Sequence, residues 1–223
     1  MTGAPCLVLV HGWGFDAEAW RPLRRALGRL ETEVVDLGFF GRPRVPNLDE
    51  RGPIVAAGHS LGFLWLLRER PLRWRGLISI AGMPRFTRAP GYAQGVAPGV
   101  LRRMMARFTA EPAATWQDFL ARCGCAGETN GAPPPGEMDV ERLGLGLRWL
   151  AEWDMRPALE EETAPVLALA ADDDAILPAA LSEAVFAARP GTTFELAGDG
   201  GHALPLSRPE WCAARIRAFM DGL

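Results

Sequence analysis

The chain has 223 residues, of which 48% are hydrophobic, and this is enough apolar material for one globular domain with a sizeable core. Its 24 basic residues, all arginine, are outnumbered by 27 acidic ones, and the net charge of −3 argues against a nucleic-acid-binding protein. The opening stretch MTGAPCLVLVHGWG has no basic leader and only a short apolar run, so we expect neither a signal peptide nor a membrane span. We therefore expect a cytoplasmic protein, and as a separate expectation a monomer.

Short apolar runs of strand length alternate with helix-patterned stretches, which is typical of an α/β domain built around a mostly parallel sheet. Helical spacing of apolar residues predicts one helix over Ala17–Leu30 behind Asp16 and another over Pro209–Met220 behind Ser207. The six predicted strands are Cys6–Val10, Glu33–Leu37, Pro53–Ala57, Gly76–Ile80, Pro165–Ala170 and Thr192–Leu196.

The alternation stops between residues 83 and 159, where helical fragments surround the proline-rich stretch GAPPPGEM (131–138). We interpret residues 83–159 as a helical cap inserted in an α/β core formed by residues 1–82 and 160–223. The first part of the cap contains no acidic residue between Met83 and Ala110, so one edge should be positively charged. This edge is either a solvated face or a docking patch for an acidic partner, and its arginines are Arg85, Arg88, Arg102, Arg103 and Arg107.

The cysteines do not indicate a metal site or a disulfide framework. Cys6 and Cys212 are isolated, and the pair Cys123 and Cys125 lacks a second cysteine pair or a nearby histidine. We expect reduced thiols, no metal and no cofactor.

The pentapeptide GHSLG, residues 58–62, matches the GxSxG pattern of a nucleophile elbow. It lies where the predicted strand PIVAAG ends and the helical stretch LGFLWLLRER begins, which is the context that the pattern requires. Small residues at both ends of a sharp turn avoid collisions with neighbouring elements, so Gly58 and Gly62 favour a turn that exposes Ser60. The alternative is a tight strand–helix turn without a catalytic role.

A serine hydroxyl needs a base within hydrogen-bonding reach, and the chain offers three histidines. His59 adjoins Ser60 and should point away from it, and His11 in HGWG should shape the first loop. His202 lies in the loop GDGGHALP after the last predicted strand, where glycines allow an imidazole to reach over the sheet edge. We therefore predict His202 as the base.

The orienting acid should come between the serine and the histidine in the chain, which points to the stretch ALAADDDAILP. Strand alternation places Asp172 and Asp174 on one side if the strand continues, and Asp173 on the other. Both Asp172 and Asp174 stay open on this argument. Asp199 shares a loop with His202 and is more typical of a turn.

The oxyanion formed by an attack on a carbonyl needs preorganised donors, and two backbone N–H groups are suitably placed. One belongs to Leu61, directly after the serine, and the other to Trp13 in the HGWG loop. The Trp13 side chain is either an aromatic wall of the site or a core residue.

Six segments together carry a family resemblance: LVLVHGWGFDAEAW, GHSLG, ISIAGMPRF, GLRWLAEWDMRPAL, DAILP and GHALPLSRPEW. They resemble the α/β-hydrolase superfamily and, more narrowly, the biotin-pathway esterases that remove the methyl group from pimeloyl-acyl-carrier-protein methyl ester. In that family the acid stands four residues before a proline, as Asp174 stands before Pro178. The resemblance thus implies Ser60 as nucleophile, Asp174 as orienting acid and His202 as base.

The resemblance also implies that Trp13 and Leu61 lie at the oxyanion and substrate site, and that Phe119 in DFLAR lines the acyl pocket. In the family the cap receives an acidic carrier protein through arginines, and those available here are Arg102, Arg103, Arg107 and Arg122.

Two departures from the family lead us to expect a compact sheet of about six strands. The chain begins almost at its first motif strand, and only residues 41–52 stand where a helix normally links the second and third strands. A general carboxylesterase or a thioesterase would use the same residues. A ligand-binding module with a vestigial site is the alternative from another class.

Overall fold

The computed structural model describes residues 5–47, 53–71, 73–124 and 137–223, and a six-stranded sheet forms its centre. The strand order is β2-β1-β3-β4-β5-β6, and all five pairings are parallel. β2 lies on one side of β1, and β3 to β6 follow on the other side, so the strand order reverses between β1 and β3. Ligands bind to such sheets at the carboxyl ends of the two strands at this switch point. The strands are β1 (Cys6–Val10), β2 (Thr32–Val35), β3 (Ile54–His59), β4 (Gly76–Ile80), β5 (Val166–Ala171) and β6 (Thr192–Ala197).

Helices connect the strands and cover both faces of the sheet. A 3-10 turn at Ala17–Trp20 leads into α1, and a π-helical turn at Glu183–Ala187 follows α7. The helices are α1 (Arg21–Leu27), α2 (Leu61–Glu69), α3 (Pro98–Ala110), α4 (Pro112–Arg122), α5 (Val140–Glu152), α6 (Arg156–Glu160), α7 (Ala179–Ser182), α8 (Leu204–Ser207) and α9 (Pro209–Asp221). Within the described ranges, none of these helices combines the length and apolar character needed to cross a membrane.

The strands divide their side chains between two cores because successive residues point to opposite faces. Leu7 and Leu9 of β1 pack in one core with α1 and α9, whereas Val8 and Val10 pack in the other with α2. Every residue of β1, β3, β4 and β5 is buried, as expected for parallel strands covered on both sides. These four strands therefore form a rigid support for the loops at the carboxyl edge of the sheet.

The first predicted helix is shorter than the sequence pattern suggested. Asp16 caps it as predicted, since its side chain accepts a hydrogen bond from the N–H of Glu18 at 2.9 Å. The helix ends at Leu27 and not at Leu30, because Gly28 takes a positive φ of 69°. The last helix begins behind Arg208, so the predicted N-cap at Ser207 was wrong.

The segment between β4 and β5 carries α3, α4, α5 and α6, and we call these four elements the inserted helices. They pack in the same core as α2, over the carboxyl edge of the sheet. Most of the proline-rich stretch 131–138, together with Cys125, lies outside the described residues. Arg85 does not lie on a free positive edge, because it is partly buried and pairs with Asp154 at 2.9 Å.

Candidate functional site

Ser60 occupies the sharp turn between β3 and α2. Its backbone has φ 51° and ψ −118°, in a region that side-chain-bearing residues rarely adopt. Its N–H donates to the carbonyl of Ile80 at 3.0 Å, which ties the turn to the neighbouring strand. The strained turn thus holds Ser60 at the carboxyl edge of the sheet, with only 6% of its surface exposed.

The glycines of GHSLG are required by close approach of the backbone. A Cβ atom at Gly58 would lie 2.3 Å from the backbone nitrogen of Phe63, and one at Gly62 would lie 2.1 Å from the carbonyl oxygen of Val10. Both distances are far below van der Waals contact, so a side chain at either position would displace α2 from the sheet. This agrees with the collisions expected from the sequence.

Ser60, His202 and Asp174 form a continuous chain of hydrogen bonds. The Nε2 atom of His202 lies 2.9 Å from the Ser60 hydroxyl oxygen, and its Nδ1 atom lies 2.7 Å from Oδ2 of Asp174. An ionised carboxylate can only accept, so Nδ1–H donates to Asp174. In the neutral ring Nε2 is then free to accept the hydroxyl proton of Ser60, as a general base does.

Asp174 is held ionised by its surroundings. Burial alone would raise the pKa of its carboxyl group, but His202 and two backbone N–H groups outweigh burial and lower that pKa below its usual range. The N–H groups belong to Ile176 and Leu177, and each donates to Oδ1 at 2.8 Å. Both carboxylate oxygens of Asp174 are thus engaged.

The other two aspartates of the DDD stretch face away from this site. Strand β5 ends at Ala171 and the chain turns, so strand alternation does not apply to the three aspartates. Asp172 and Asp173 are exposed, and Asp173 accepts the N–H of Gly201 at 2.8 Å. The alternation that grouped Asp172 with Asp174 was therefore wrong. Asp199 pairs with Arg208 and does not contact His202.

The remaining histidines are buried beside the site. The Nε2 atom of His11 accepts the N–H of Leu37 at 2.9 Å, which fixes the loop after β1. His59 turns away from the Ser60 hydroxyl, and its Nε2 atom lies 2.9 Å from the carbonyl oxygen of His202. Burial, and next the neighbouring His202, lower the pKa of His59 from 6.5 to about 3, so its ring is neutral at physiological pH.

This neutral histidine should make the protein sensitive to acid. Between the two pKa values of 6.5 and about 3, the unfolded chain binds a proton at His59 that the folded chain does not bind. The free energy of unfolding should therefore decrease as the pH is lowered through this window, and His59 should contribute about 1.4 kcal/mol to this decrease for each pH unit. In His59→Gln the fall should be shallower by that amount, as measured by urea unfolding across the window. Parallel curves for the two proteins would refute this assignment.

Two of the residues predicted to supply N–H donors belong to segments next to Ser60. Leu61 is the first residue of α2, so its N–H has no partner within the helix. The loop after β1 also approaches Ser60, since a Cβ atom at Gly12 would lie 3.1 Å from Cβ of Ser60. The next residue of this loop is Trp13. The start of α2 and the loop that contains Trp13 thus both lie next to Ser60.

The Trp13 side chain serves both as a core residue and as a wall of the site. It is 1% exposed, and its indole N–H donates to the carbonyl of Leu143 at 2.8 Å, which fastens the loop to α5. Its ring meets the ring of Phe119 edge-on at 4.8 Å, and Phe119 in turn lies 6.3 Å from the His202 ring. Through Phe119, the inserted helix α4 therefore contacts His202 directly.

A cavity of about 320 Å³ opens above Ser60, between the sheet edge and the inserted helices. This volume is at the lower end of the usual range for ligand pockets, about 300–1,000 Å³. Trp13 and Phe119 are among the residues that line it. Sequence reasoning missed the apolar lining residues, which are Phe86, Val96, Val100, Leu101, Met104, Leu150 and Ile176. Helical spacing of Leu101, Met104 and Phe108 could have indicated one apolar face of α3.

The four arginines that the resemblance assigned to a partner differ in their surroundings. Arg103, Arg107 and Arg122 line the cavity, and Arg102 is exposed next to Arg103 on α3. Arg107 pairs with Asp118 and, at 3.6 Å, with Glu111, which reduces its net charge contribution. Arg122 donates to the carbonyl of Ala175 at 3.3 Å. Of these four arginines, Arg102 and Arg103 on α3 are thus the best placed to bind an anionic partner.

Among the described residues, no group of three or more histidine, cysteine or acidic side chains is arranged to hold a metal ion.

Several known proteins similar to this chain are named as esterases. No protein-family model matches the chain. The pimeloyl-(acyl-carrier protein) methyl ester esterase of Aromatoleum aromaticum is 31% identical to it over 248 residues, covering 98% of this chain and 99% of that protein. The chain belongs to this esterase family. It is a carboxylic ester hydrolase, as the resemblance in its motifs implied, and the alternative of a non-catalytic binding module is set aside.

Further comparisons agree with membership of this esterase family. The biotin biosynthesis bifunctional protein BioHC of Cellvibrio japonicus is 28% identical over 242 residues, which cover 98% of this chain but 48% of that protein. The chain thus spans about half the length of that relative. The solved structure of an esterase from Exiguobacterium antarcticum superposes with a TM-score of 0.82 at 16% identity, covering 99% of this chain and 93% of that one. The predicted α/β-hydrolase fold is confirmed.

Proposed function

We propose that Ser60 is the nucleophile of this esterase, His202 its general base and Asp174 the acid that orients His202. The observation that carries the proposal is the chain of two hydrogen bonds, at 2.9 Å and 2.7 Å, that links the three side chains. The strained turn at Ser60 and the ionised state of Asp174 support it. The three residues also follow one another along the chain in the order serine, acid, histidine, as expected of this hydrolase fold.

The reaction proceeds by acyl transfer in two halves. Ser60 Oγ attacks the ester carbonyl carbon while its proton passes to Nε2 of His202, and the N–H groups of Leu61 and Trp13 bind the resulting oxyanion. His202 then gives the proton to the leaving alkoxide, which departs as an alcohol. A water molecule, deprotonated by His202, attacks the acyl-enzyme, and collapse of this second intermediate returns the proton to Ser60 and releases the acid.

We propose pimeloyl-acyl-carrier-protein methyl ester as the substrate, in biotin synthesis, with methanol as the released alcohol. The names of the relatives support this, as does the apolar cavity, whose lining suits a methylene chain. In this proposal residues 83–159 act as a cap, and Phe119 packs against the acyl chain. The core then comprises residues 1–82 and 160–223.

An acidic carrier protein is the proposed partner, docking at the arginine-bearing rim of the cavity. Arg102 and Arg103 are exposed on α3 and stand beside the opening, so they suit a negatively charged surface. Arg107 and Arg122 contribute less, because each already bonds a protein group. We assign no docking role to Arg85, because its guanidinium group already forms an ion pair with Asp154.

The rim arginines should matter for a carrier-bound substrate and not for a small ester. We expect the double change Arg102→Glu and Arg103→Glu to lower kcat/KM for the carrier-bound methyl ester about tenfold or more, because steering of the acidic partner is reversed. Hydrolysis of a p-nitrophenyl ester should change by less than about twofold, since an exposed charge acts weakly on a neutral substrate.

The matched control is Arg25→Glu with Arg29→Glu. It makes the same change of charge at exposed positions near the end of α1, which packs in the opposite core. Equal losses on both substrates, or an equal effect of the control on the carrier-bound ester, would contradict docking at the α3 rim.

Growth without biotin tests the biological role. A bacterial strain that lacks its own pimeloyl ester esterase should grow on biotin-free medium when it expresses this chain, and should fail to grow with Ser60→Ala. The purified protein should release methanol from pimeloyl-acyl-carrier-protein methyl ester. Hydrolysis of p-nitrophenyl esters with neither growth nor methanol release would instead identify a general carboxylesterase.

A further inference from the structure

His59 occupies a buried position between the nucleophile turn and the loop that carries His202. It is the last residue of β3 and is 3% exposed. Its Nε2 atom lies 2.9 Å from the backbone carbonyl oxygen of His202. His59, which adjoins Ser60 in the sequence, thus contacts the backbone of His202, the proposed base.

The direction of this hydrogen bond is determined by its acceptor. A carbonyl oxygen can only accept, so Nε2 of His59 carries the proton and donates it. Aromatic rings restrict rotation of the imidazole, since Phe15 lies 5.4 Å and Trp20 6.3 Å from it, both edge-on. The His202 ring lies 5.3 Å away on another side. His59 is thus a fixed donor and does not serve as a second base.

The loop that carries His202 needs such a restraint because of its composition. Gly200 and Gly201 precede the histidine with φ values of 120° and 62°, and glycines leave a backbone with many alternative conformations. The carboxylate of Asp173 accepts a hydrogen bond from the N–H of Gly201 at 2.8 Å, and the hydroxyl of Ser207 donates one to the carbonyl of Gly200 at 2.6 Å. The bond from His59 fixes the carbonyl of His202 itself.

We propose that His59 is a positioning residue, which holds the His202 loop so that the imidazole keeps both of its hydrogen bonds, to Ser60 and to Asp174. This inference rests on the proposed role of His202 as the base. It couples the nucleophile turn to the base, because one element, the end of β3, places Ser60 and restrains His202. Nothing in the pattern GHSLG distinguishes this role from simple packing.

The test compares two substitutions of similar size, His59→Gln and His59→Met. The glutamine amide places an N–H near the position of Nε2, whereas methionine has a similar length and no donor. We expect kcat of the methionine variant for a p-nitrophenyl ester to fall about 10- to 100-fold, since small displacements of a catalytic group have effects of this size. KM should change little, because His59 does not line the cavity above Ser60. The glutamine variant should recover most of the lost kcat.

Two further measurements separate positioning from packing and from the proposed function itself. The proton between Nδ1 of His202 and Asp174 should give a downfield resonance in the wild type and the glutamine variant, broadened or lost with methionine. Fluorophosphonate labelling of wild-type Ser60 checks the nucleophile independently: without labelling, the proposed function fails. If the wild type is labelled and the two variants have equal kcat values, whether both normal or both reduced, then the positioning role is wrong.

Discussion

Replacing Ser60 with alanine should lower kcat for hydrolysis of a p-nitrophenyl ester by about 10⁴-fold or more, because no acyl-enzyme can form without the hydroxyl. The fold should persist. Alanine differs from serine only by the hydroxyl, and the lost hydrogen bond to His202 is worth about 1 kcal/mol of unfolding free energy. The strained backbone at φ 51° is imposed by the turn and stays the same in the variant.

Activity, thermal unfolding and covalent labelling together check this result. A fluorophosphonate should add its mass to the wild type and not to Ser60→Ala. Ser182→Ala is the matched control, since Ser182 is also buried, at 4% exposure, but lies on α7. It should keep both activity and labelling. Turnover by Ser60→Ala above about a tenth of the wild-type rate would rule out Ser60 as the nucleophile, given the losses expected for a true nucleophile.

Asp174→Asn should reduce kcat by about 10³- to 10⁴-fold, the second-largest effect that we expect. An asparagine at this position can turn its amide N–H toward Nδ1 of His202, which favours the tautomer with the proton on Nε2. His202 then cannot accept the proton of Ser60. The bonds from Ile176 and Leu177 to Oδ1 hold the side chain in place, so asparagine would occupy the same position as the aspartate.

The neighbouring aspartates supply the controls for this experiment. Asp172→Asn and Asp173→Asn make the same chemical change at exposed positions one or two residues away. We expect each to retain activity within about threefold, because an exposed charge is screened by solvent. In Asp173→Asn the amide oxygen can still accept the N–H of Gly201. Loss of activity in Asp172→Asn with normal activity in Asp174→Asn would transfer the orienting role to Asp172.

Local patterns in the sequence predicted most of the elements around the site. All six strands were predicted within two residues of their ends. For β1, β3, β4 and β5 the reason is that runs of apolar residues buried on both faces of a parallel sheet are distinctive. The sharp turn at Ser60 was also predicted, since two glycines and a serine at this spacing between a strand and a helix favour such a turn. Helix ends were less predictable, as Gly28 and Arg208 illustrate, because they depend on the backbone geometry of single residues.

The DDD stretch marks the limit of local reasoning. Alternation along β5 suggested that Asp172 and Asp174 share a side, but the strand ends at Ala171 and the turn sends only Asp174 inward. The family resemblance, with a proline four residues later, pointed to Asp174. The turn that buries this side chain is stabilised by two N–H groups that follow it in the chain, so the decisive interactions are local in sequence but invisible in a strand pattern.

By itself the sequence determined the α/β class and the turn at Ser60, and it predicted His202 as the base among three histidines, since these inferences use short local patterns in the chain. Only the tertiary structure decided which partners meet across long separations. It brought His202 to Ser60 across 142 positions, and it turned His59 toward the backbone carbonyl of His202 across 143 positions. The physical reason is that these contacts depend on how the parallel strands pack side by side, and each pairing is stabilised by burial that exists only after the sheet and inserted helices have come together.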